Sequence, residues 1–302
     1  MSAITIRDVL PRDGLQGERP LEPTQRARLA MALAEAGLTA IEAASFVSIQ
    51  AVPAMAGGAE VIASLTDLDG VAWWALVPNR RGAELAIDAG VTNLTVTISA
   101  SEAYSRKNVG RTIADTVAEL SEIGRTIGDP ASSNIEIDIV VSCAFGSPFD
   151  DVGDPSSTRA IVEHALDVMP AARITLADTT GTATPRRLSE VILELPGSAH
   201  RDLGLHLHDT RGTALVNALA GINLGITRFD TSTGGLGGSP FAPGAGGNLA
   251  TEDLVLMLHD LGHETGIELD AILAISRSLH ELIGHEVPSR VASAGGLPRF
   301  GS

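Results

Sequence analysis

Ile174-Thr175-Leu176-Ala177-Asp178, then Pro185-Arg186-Arg187-Leu188-Ser189-Glu190-Val191-Ile192-Leu193-Glu194, then Leu203-Gly204-Leu205-His206-Leu207-His208: these three consecutive stretches decide the fold. A short apolar run, a helix-length stretch opened by proline and a second apolar run read as strand, helix and strand. The same alternation extends in both directions. Strand-like runs cover Ile4 to Leu10, Ala40 to Phe46, Val71 to Val77, Leu94 to Ser99, Ile135 to Ser142, Ile174 to Asp178, Leu203 to His208 and Arg228 to Thr233. Helix-like stretches between them include Thr24 to Ala36, Arg80 to Ala89, Thr112 to Ile127, Pro155 to Val168 and Thr213 to Leu224, several ending at glycines such as Gly37, Gly90 and Gly225. Eight such alternations predict a closed parallel (β/α)8 TIM barrel, with an open doubly wound sheet as the alternative. Two further helices, Glu252 to Leu261 and Leu269 to Ile283, are expected after the last strand, followed by an irregular tail over 286–302.

Nothing in the 302 residues reads as an interdomain linker, so one domain is expected, with the barrel over about 4–283. A hydrophobic content of 44% and a mean hydropathy of +0.19 suffice for a large core. No apolar stretch is long enough to span a bilayer, and the opening residues lack the basic and apolar regions of an export signal. A cytoplasmic protein is expected. A single cysteine, Cys143, fits a reducing compartment and excludes a Cys-rich zinc module. The formal net charge is −16, and of 21 basic residues only Lys107 is a lysine. Such a chain lacks the basic footprint that nucleic acids and anionic lipid surfaces require, so neither is an expected partner. An anionic small molecule would need local cations, for which the Ser105-Arg106-Lys107-Asn108 segment, read as a turn, is the candidate.

Chemistry concentrates where a barrel would place it, at the C-terminal strand ends. His206 and His208 lie one residue apart, so on a strand they share a face while Leu205 and Leu207 share the other; two adjacent imidazoles are half of a metal site. Arg12 and Asp13 follow the first strand, Glu42 lies within the second and Asp178 ends the sixth. After the eighth strand comes a Gly-rich segment from Gly234 to Asn248. It lacks the Lys-Ser/Thr ending of a phosphate loop and reads as a mobile lid.

Taken together, Leu10-Pro11-Arg12-Asp13-Gly14-Leu15-Gln16-Gly17-Glu18, Ile41-Glu42-Ala43-Ala44-Ser45-Phe46-Val47-Ser48, Leu176-Ala177-Asp178-Thr179-Thr180-Gly181, His206-Leu207-His208-Asp209-Thr210 and the closing Gly-Asn248-Leu-Ala-Thr-Glu-Asp253 resemble the 3-hydroxy-3-methylglutaryl-CoA lyase family from about Ile4 to Ile283. The resemblance implies a metal-dependent lyase that cleaves a 3-hydroxyacyl-CoA into acetyl-CoA and a 3-oxo acid such as acetoacetate, and it suggests a homodimer. It implies Asp13, His206, His208 and Asn248 as metal ligands. Their mixed nitrogen and oxygen donors suit Mg, Mn or Zn, the resemblance favours Mg or Mn, and the donor chemistry alone also leaves nonhaem iron open. Asp13 or His206 would act as base and Arg12 would stabilise an enolate; Glu42 and Asp178 would orient the ligands. Gln16, with Lys107 and Asn108, is expected to contact substrate. One position departs from the family, which carries a lid cysteine where this chain has Ser239, a far weaker acid. Ser239 leaves open a different branched or dicarboxylic 3-hydroxyacyl-CoA, or a barrel that binds metal and CoA without turnover. The intact Arg12, Asp13, His206, His208 and Asn248 argue against the last.

Overall fold

The computed structural model describes residues 3–66, 68–128, 134–149, 154–238 and 246–295. Eight parallel strands close into a barrel: β1 (Thr5–Asp8), β2 (Ala40–Ser45), β3 (Ala72–Val77), β4 (Asn93–Ser99), β5 (Glu136–Ser142), β6 (Arg173–Asp178), β7 (Leu203–Leu207) and β8 (Arg228–Thr231). Closure is made by β1, whose Arg7 stands opposite Ala40 of β2 on one side and Asp230 of β8 on the other. Around the barrel run α1 (Pro23–Glu35), α2 (Gly58–Ala63), α3 (Arg80–Asp88), α4 (Glu102–Val109), α5 (Ile113–Ile127), α6 (Pro155–Val168), α7 (Pro185–Glu194) and α8 (Ala214–Asn223), followed by α9 (Thr251–Asp260), α10 (Leu269–Ile283) and α11 (Arg290–Ala294). No helix among the described residues is long and apolar enough to cross a membrane.

The helices start where the sequence offers caps. Asn79 accepts from the Gly82 amide at α3, Asp154 from Ser156 at α6, and Thr112 with Asp115 forms a reciprocal capping box at α5. Burial then separates two layers. Leu205 faces outward against Gly221 of α8 and belongs to the apolar shell between sheet and helices, together with Ile41, Leu94, Leu176 and Phe229. The barrel interior is built differently. Arg7, Asp138, Thr175, Arg228 and Asp230 are all buried there, with Arg7 bridging Asp138 and Asp230 at 2.8 Å each and Arg228 reaching Asp138 at 3.0 Å. A β-bulge interrupts the β2–β3 register between Glu42 and Ala44.

Several boundaries differ from the sequence expectation for identifiable reasons. Strand one stops at Asp8 because its carboxylate accepts from the Leu10 amide, and Leu10–Gly14 winds into a π-helical turn. Strand eight stops at Thr231 ahead of a 3-10 turn over Thr233–Gly235. The Ser105–Asn108 segment is helical rather than a turn, since Ser101 caps α4 and Gly110 closes it in the left-handed region. The tail is not wholly irregular: α11 forms because Ser289 caps it and Asp253 accepts from the Arg290 and Val291 amides.

Asp138 serves two guanidiniums in the barrel interior, so Asp138→Ala leaves Arg7 and Arg228 undercompensated and should cost about 3–5 kcal/mol of unfolding free energy. Urea unfolding checks this, and a loss below about 1 kcal/mol, the scale of a surface ion pair, would contradict it.

Candidate metal centre and active site

Main-chain geometry brings five chemically active residues to the barrel mouth. The π-helical turn after β1 is closed by Gly14 N–H donating to the Val9 carbonyl at 3.1 Å and Leu15 N–H to that of Leu10 at 3.0 Å. This wide turn sinks both Arg12 and Asp13 into the mouth, at 9% and 6% exposure. Asp8 anchors it, its second carboxylate oxygen accepting from the Thr233 amide and from the Thr233 and Thr251 hydroxyls. On the far side, His206 is the fourth residue of β7 and His208 follows one residue past its end. The chain returning after β8 then pairs with that end: Asp209 N–H donates to the Gly247 carbonyl and Leu249 N–H to the Leu207 carbonyl, both at 2.8 Å. The resulting bridge sets Asn248 beside His208.

Ligand atoms of Asp13, His206 and His208 all lie within 4.8 Å of one another. The imidazoles show what belongs between them. His206 Nδ1 is 3.1 Å from an Asp230 carboxylate oxygen and His208 Nδ1 is 3.3 Å from the Gly246 carbonyl. Both partners only accept, so both Nδ1 atoms carry the proton and donate. In the neutral rings both Nε2 atoms are then lone pairs, and they face each other at 3.0 Å. Two lone pairs so placed repel unless a cation or a shared proton lies with them. The amide of Asn248 repeats the pattern: Nδ2 donates to Asp13 at 2.6 Å and to the Leu236 carbonyl at 2.9 Å, while the buried Oδ1 has no partner among the described residues. These donors fit a divalent cation.

The electrostatics agree. Burial alone would raise the Asp13 carboxyl, but Arg12, His206, His208 and the Asn248 amide hold it down at about 2, ionised at any working pH. Burial, reinforced by His206, pushes His208 down to about 4 and keeps it neutral. Burial also pulls on His206, yet the Asp230 hydrogen bond and charge lift it above its ordinary value. Arg12 donates to Glu42 and, at 2.6 Å, to Asp13.

Of the residues singled out in sequence, Arg12, Asp13, Glu42, His206, His208 and Asn248 converge here, and Gln16 joins them by donating to Asp13 at 2.8 Å. Asp178 does something else. Its one oxygen accepts from the Thr182 and Ala183 amides, shaping the loop after β6, and burial raises its carboxyl to about 7. The residue that touches a histidine is Asp230, and sequence reasoning missed it; the clue was Arg228-Phe229-Asp230, two charges alternating around one aromatic in a buried strand. Lys107 and Asn108 sit on α4, with the Lys107 ammonium 4.1 Å over the Phe149 ring. Cys143 is buried in the turn after β5. Ser239 lies outside the described residues.

Residues 3–279 match the HMGL-like protein family. The chain is 42% identical over 310 residues to an (R)-citramalyl-CoA lyase of Chloroflexus aurantiacus, covering 98% of this chain and 96% of that one. It is 39% identical over 299 residues to a hydroxymethylglutaryl-CoA lyase of Pseudomonas mevalonii, covering 97% of each. A solved HMG-CoA lyase of Acinetobacter baumannii, in complex with coenzyme A and 3-methylmalate, superposes with a TM-score of 0.91 at 37% identity, covering 99% of this chain and 97% of that one.

Gly237 guards the cluster. Its φ of +104° suits glycine, and a Cβ there would fall 2.5 Å from Asn248 Nδ2 and 3.0 Å from an Asp13 carboxylate oxygen. Gly237→Ala should therefore displace both side chains and weaken Mn(II) binding by roughly ten-fold or more, a cost of about 1–3 kcal/mol in local strain. Calorimetric titration reads the change, and an unaltered affinity would show that Gly237 has no part in the site.

Proposed function

This chain belongs to the HMGL-like family of acyl-CoA lyases, and from that membership we propose that it splits a 3-hydroxy-3-methyl dicarboxylic acid held as its mono-CoA thioester. The bond between the carbinol carbon and the carbon next to the thioester breaks. From 3-hydroxy-3-methylglutaryl-CoA this releases acetyl-CoA and acetoacetate; from citramalyl-CoA, one methylene shorter, it releases acetyl-CoA and pyruvate. The second substrate is carried as a reading because the citramalyl-CoA lyase and the hydroxymethylglutaryl-CoA lyase stand at nearly equal identity, 42% and 39%. The observation that carries the proposal is the pair of bare Nε2 atoms facing each other beside Asp13, Asn248 and Arg12.

Asp13, His206, His208 and Asn248 would hold the divalent cation, with Mg or Mn favoured by the two oxygen donors and Zn the alternative. When bound, the cation supplies Lewis acidity that makes the substrate hydroxyl easier to deprotonate. The chain's own residues do the rest. Of the two candidate bases, His206 donates from Nδ1 to Asp230 and offers its Nε2 lone pair to the cation, so it has none left for a proton. Asp13 keeps a spare carboxylate lone pair and is the group to which the hydroxyl proton passes once the hydroxyl is made more acidic. Loss of the hydroxyl proton turns the carbinol into the new carbonyl, and the bonding electrons pass to the thioester as an enolate. Arg12 is buried, always charged and fixed by Glu42, so it stabilises that enolate without reorganising. Protonation of the enolate carbon then completes acetyl-CoA. Lys107 and Asn108, on the α4 rim of the mouth, serve the anionic CoA.

The test is an acetyl-CoA assay over a panel of 3-hydroxyacyl-CoAs with and without Mn or Mg, on the wild type and on Ser239→Cys. Turnover of one or both named thioesters, lost on chelation and restored by metal, is expected. If Ser239 limits proton transfer, the cysteine variant gains roughly ten-fold or more. Absence of acetyl-CoA from every thioester by the metal-loaded wild type would leave only a binding barrel.

Arg12→Gln separates chemistry from binding. Acting on charge that exists only during reaction, it should lower kcat by about 10²–10³-fold while KM changes little. A defect confined to KM would reassign Arg12 to substrate anchoring.

A further inference from the structure

One row of side chains crosses three neighbouring strands at a single level. Arg7 of β1 stands opposite Asp230 of β8, and Asp230 stands opposite His206 of β7. The side chains connect in the same order. Arg7 grips Asp230 at both oxygens, Nε donating at 2.9 Å and a terminal nitrogen at 2.8 Å, and the His206 Nδ1–H donates to Asp230 at 3.1 Å. Arg7 cannot swing away. It is held by Asp138 at 2.8 Å, by the Thr95 hydroxyl at 3.3 Å and by the Trp74 ring face at 4.9 Å. Asp138 is in turn fixed by Arg228 and Thr175.

We infer that Arg7 and Asp230 are positioning residues that dictate which nitrogen of His206 faces the metal cradle. A carboxylate clamped by a guanidinium offers His206 acceptor oxygens only. Nδ1 must therefore keep its proton, and Nε2 must present its lone pair. The ring plane is fixed by the same bond. Neither Arg7 nor Asp230 contributes a cradle atom; both act through the imidazole, and Asp178, expected from sequence to orient the ligands, is bonded to its own loop instead. The inference rests on the metal reading of the site made above.

Asp230→Asn is isosteric but places an amide where the carboxylate stood, and its N–H group can donate to Nδ1, which puts the proton on Nε2 and turns that atom away from a cation. Mn(II) affinity measured by calorimetry should fall about 10–100-fold, the usual loss when a group supporting a metal-binding histidine is removed. Because Arg7 loses one of its two carboxylates, the thermal midpoint of the metal-free protein should fall as well, so the affinity is read on the folded variant well below that midpoint. Arg7→Gln should also weaken binding, and the double variant should lose no more than the worse single variant, because both act through one imidazole. Unchanged Mn(II) affinity in Asp230→Asn, or strictly additive losses, would overturn the inference. Should Arg7→Gln fail to fold, the nitrogen chemical shifts of His206 in the Zn-loaded wild type decide: a protonated Nδ1 with coordinated Nε2 supports it, and the reverse overturns it. A wild type that binds no metal would instead sink the metal reading itself.

Discussion

The two-pronged ion pair between Arg7 and Asp230 sits where the barrel closes, and both architecture and chemistry depend on it. β1 meets β8 at that pair, so the last seam of the sheet is drawn by charge as well as by backbone hydrogen bonds. Burial makes the pair consequential. An exposed pair such as Arg80–Glu84 contributes at most about 1 kcal/mol, whereas an uncompensated charge in the barrel interior costs several. The interior therefore tolerates few arrangements of its strands: any shift in register by one residue would move Arg7, Asp138, Asp230 or Arg228 away from its partner and into apolar packing. A network that fixes the register also fixes where His206 stands.

At the mouth above this layer, charge is left in deliberate imbalance. One guanidinium, Arg12, faces two carboxylates, Asp13 and Glu42, while His208 is held neutral by burial. With His206 neutral, as an Nε2 lone pair offered to a cation requires, the cluster is net negative, and in a chain of net charge −16 it would repel an anionic thioester. A divalent cation reverses the sign of the cluster. On the proposed reading, metal binding and attraction of an anionic substrate would thus be the same electrostatic event, with Arg12 the positive group beside the cradle.

Much of this was readable in sequence and some was not, for physical reasons. Strict alternation put His206 and His208 on one face, and eight apolar runs separated by capped helices gave the barrel. Asp13 and Asn248 are 235 residues apart, and only likeness to a known family joined them. Asp230 and Arg7 escaped notice because strands buried on both faces lack a polar side to mark the inward direction. The π-helical turn at Leu10–Gly14 has no reliable residue signature; Pro11 fits its first turn but does not demand it. The α4 helix was legible in principle, with Ser101 as cap and Gly110 as stop, but its low apolar content read as a loop.

The same physics explains why fold and metal cradle do not single out one acid. 3-Hydroxy-3-methylglutaryl and citramalyl thioesters differ by one methylene between the carbinol carbon and the free carboxylate. A methylene in a pocket changes discrimination by only about 1–3 kcal/mol, within reach of one or two side chains. In the proposed reaction the cradle would meet the hydroxyl that the two acids share, and would exert no preference between them. Preference must come from whatever meets the carboxylate. Arg12, the cation at the cradle, is already committed to Glu42 and Asp13. On the proposed reaction, substrate choice would then fall to the side chains that meet that carboxylate, while the interior is constrained by its buried charges.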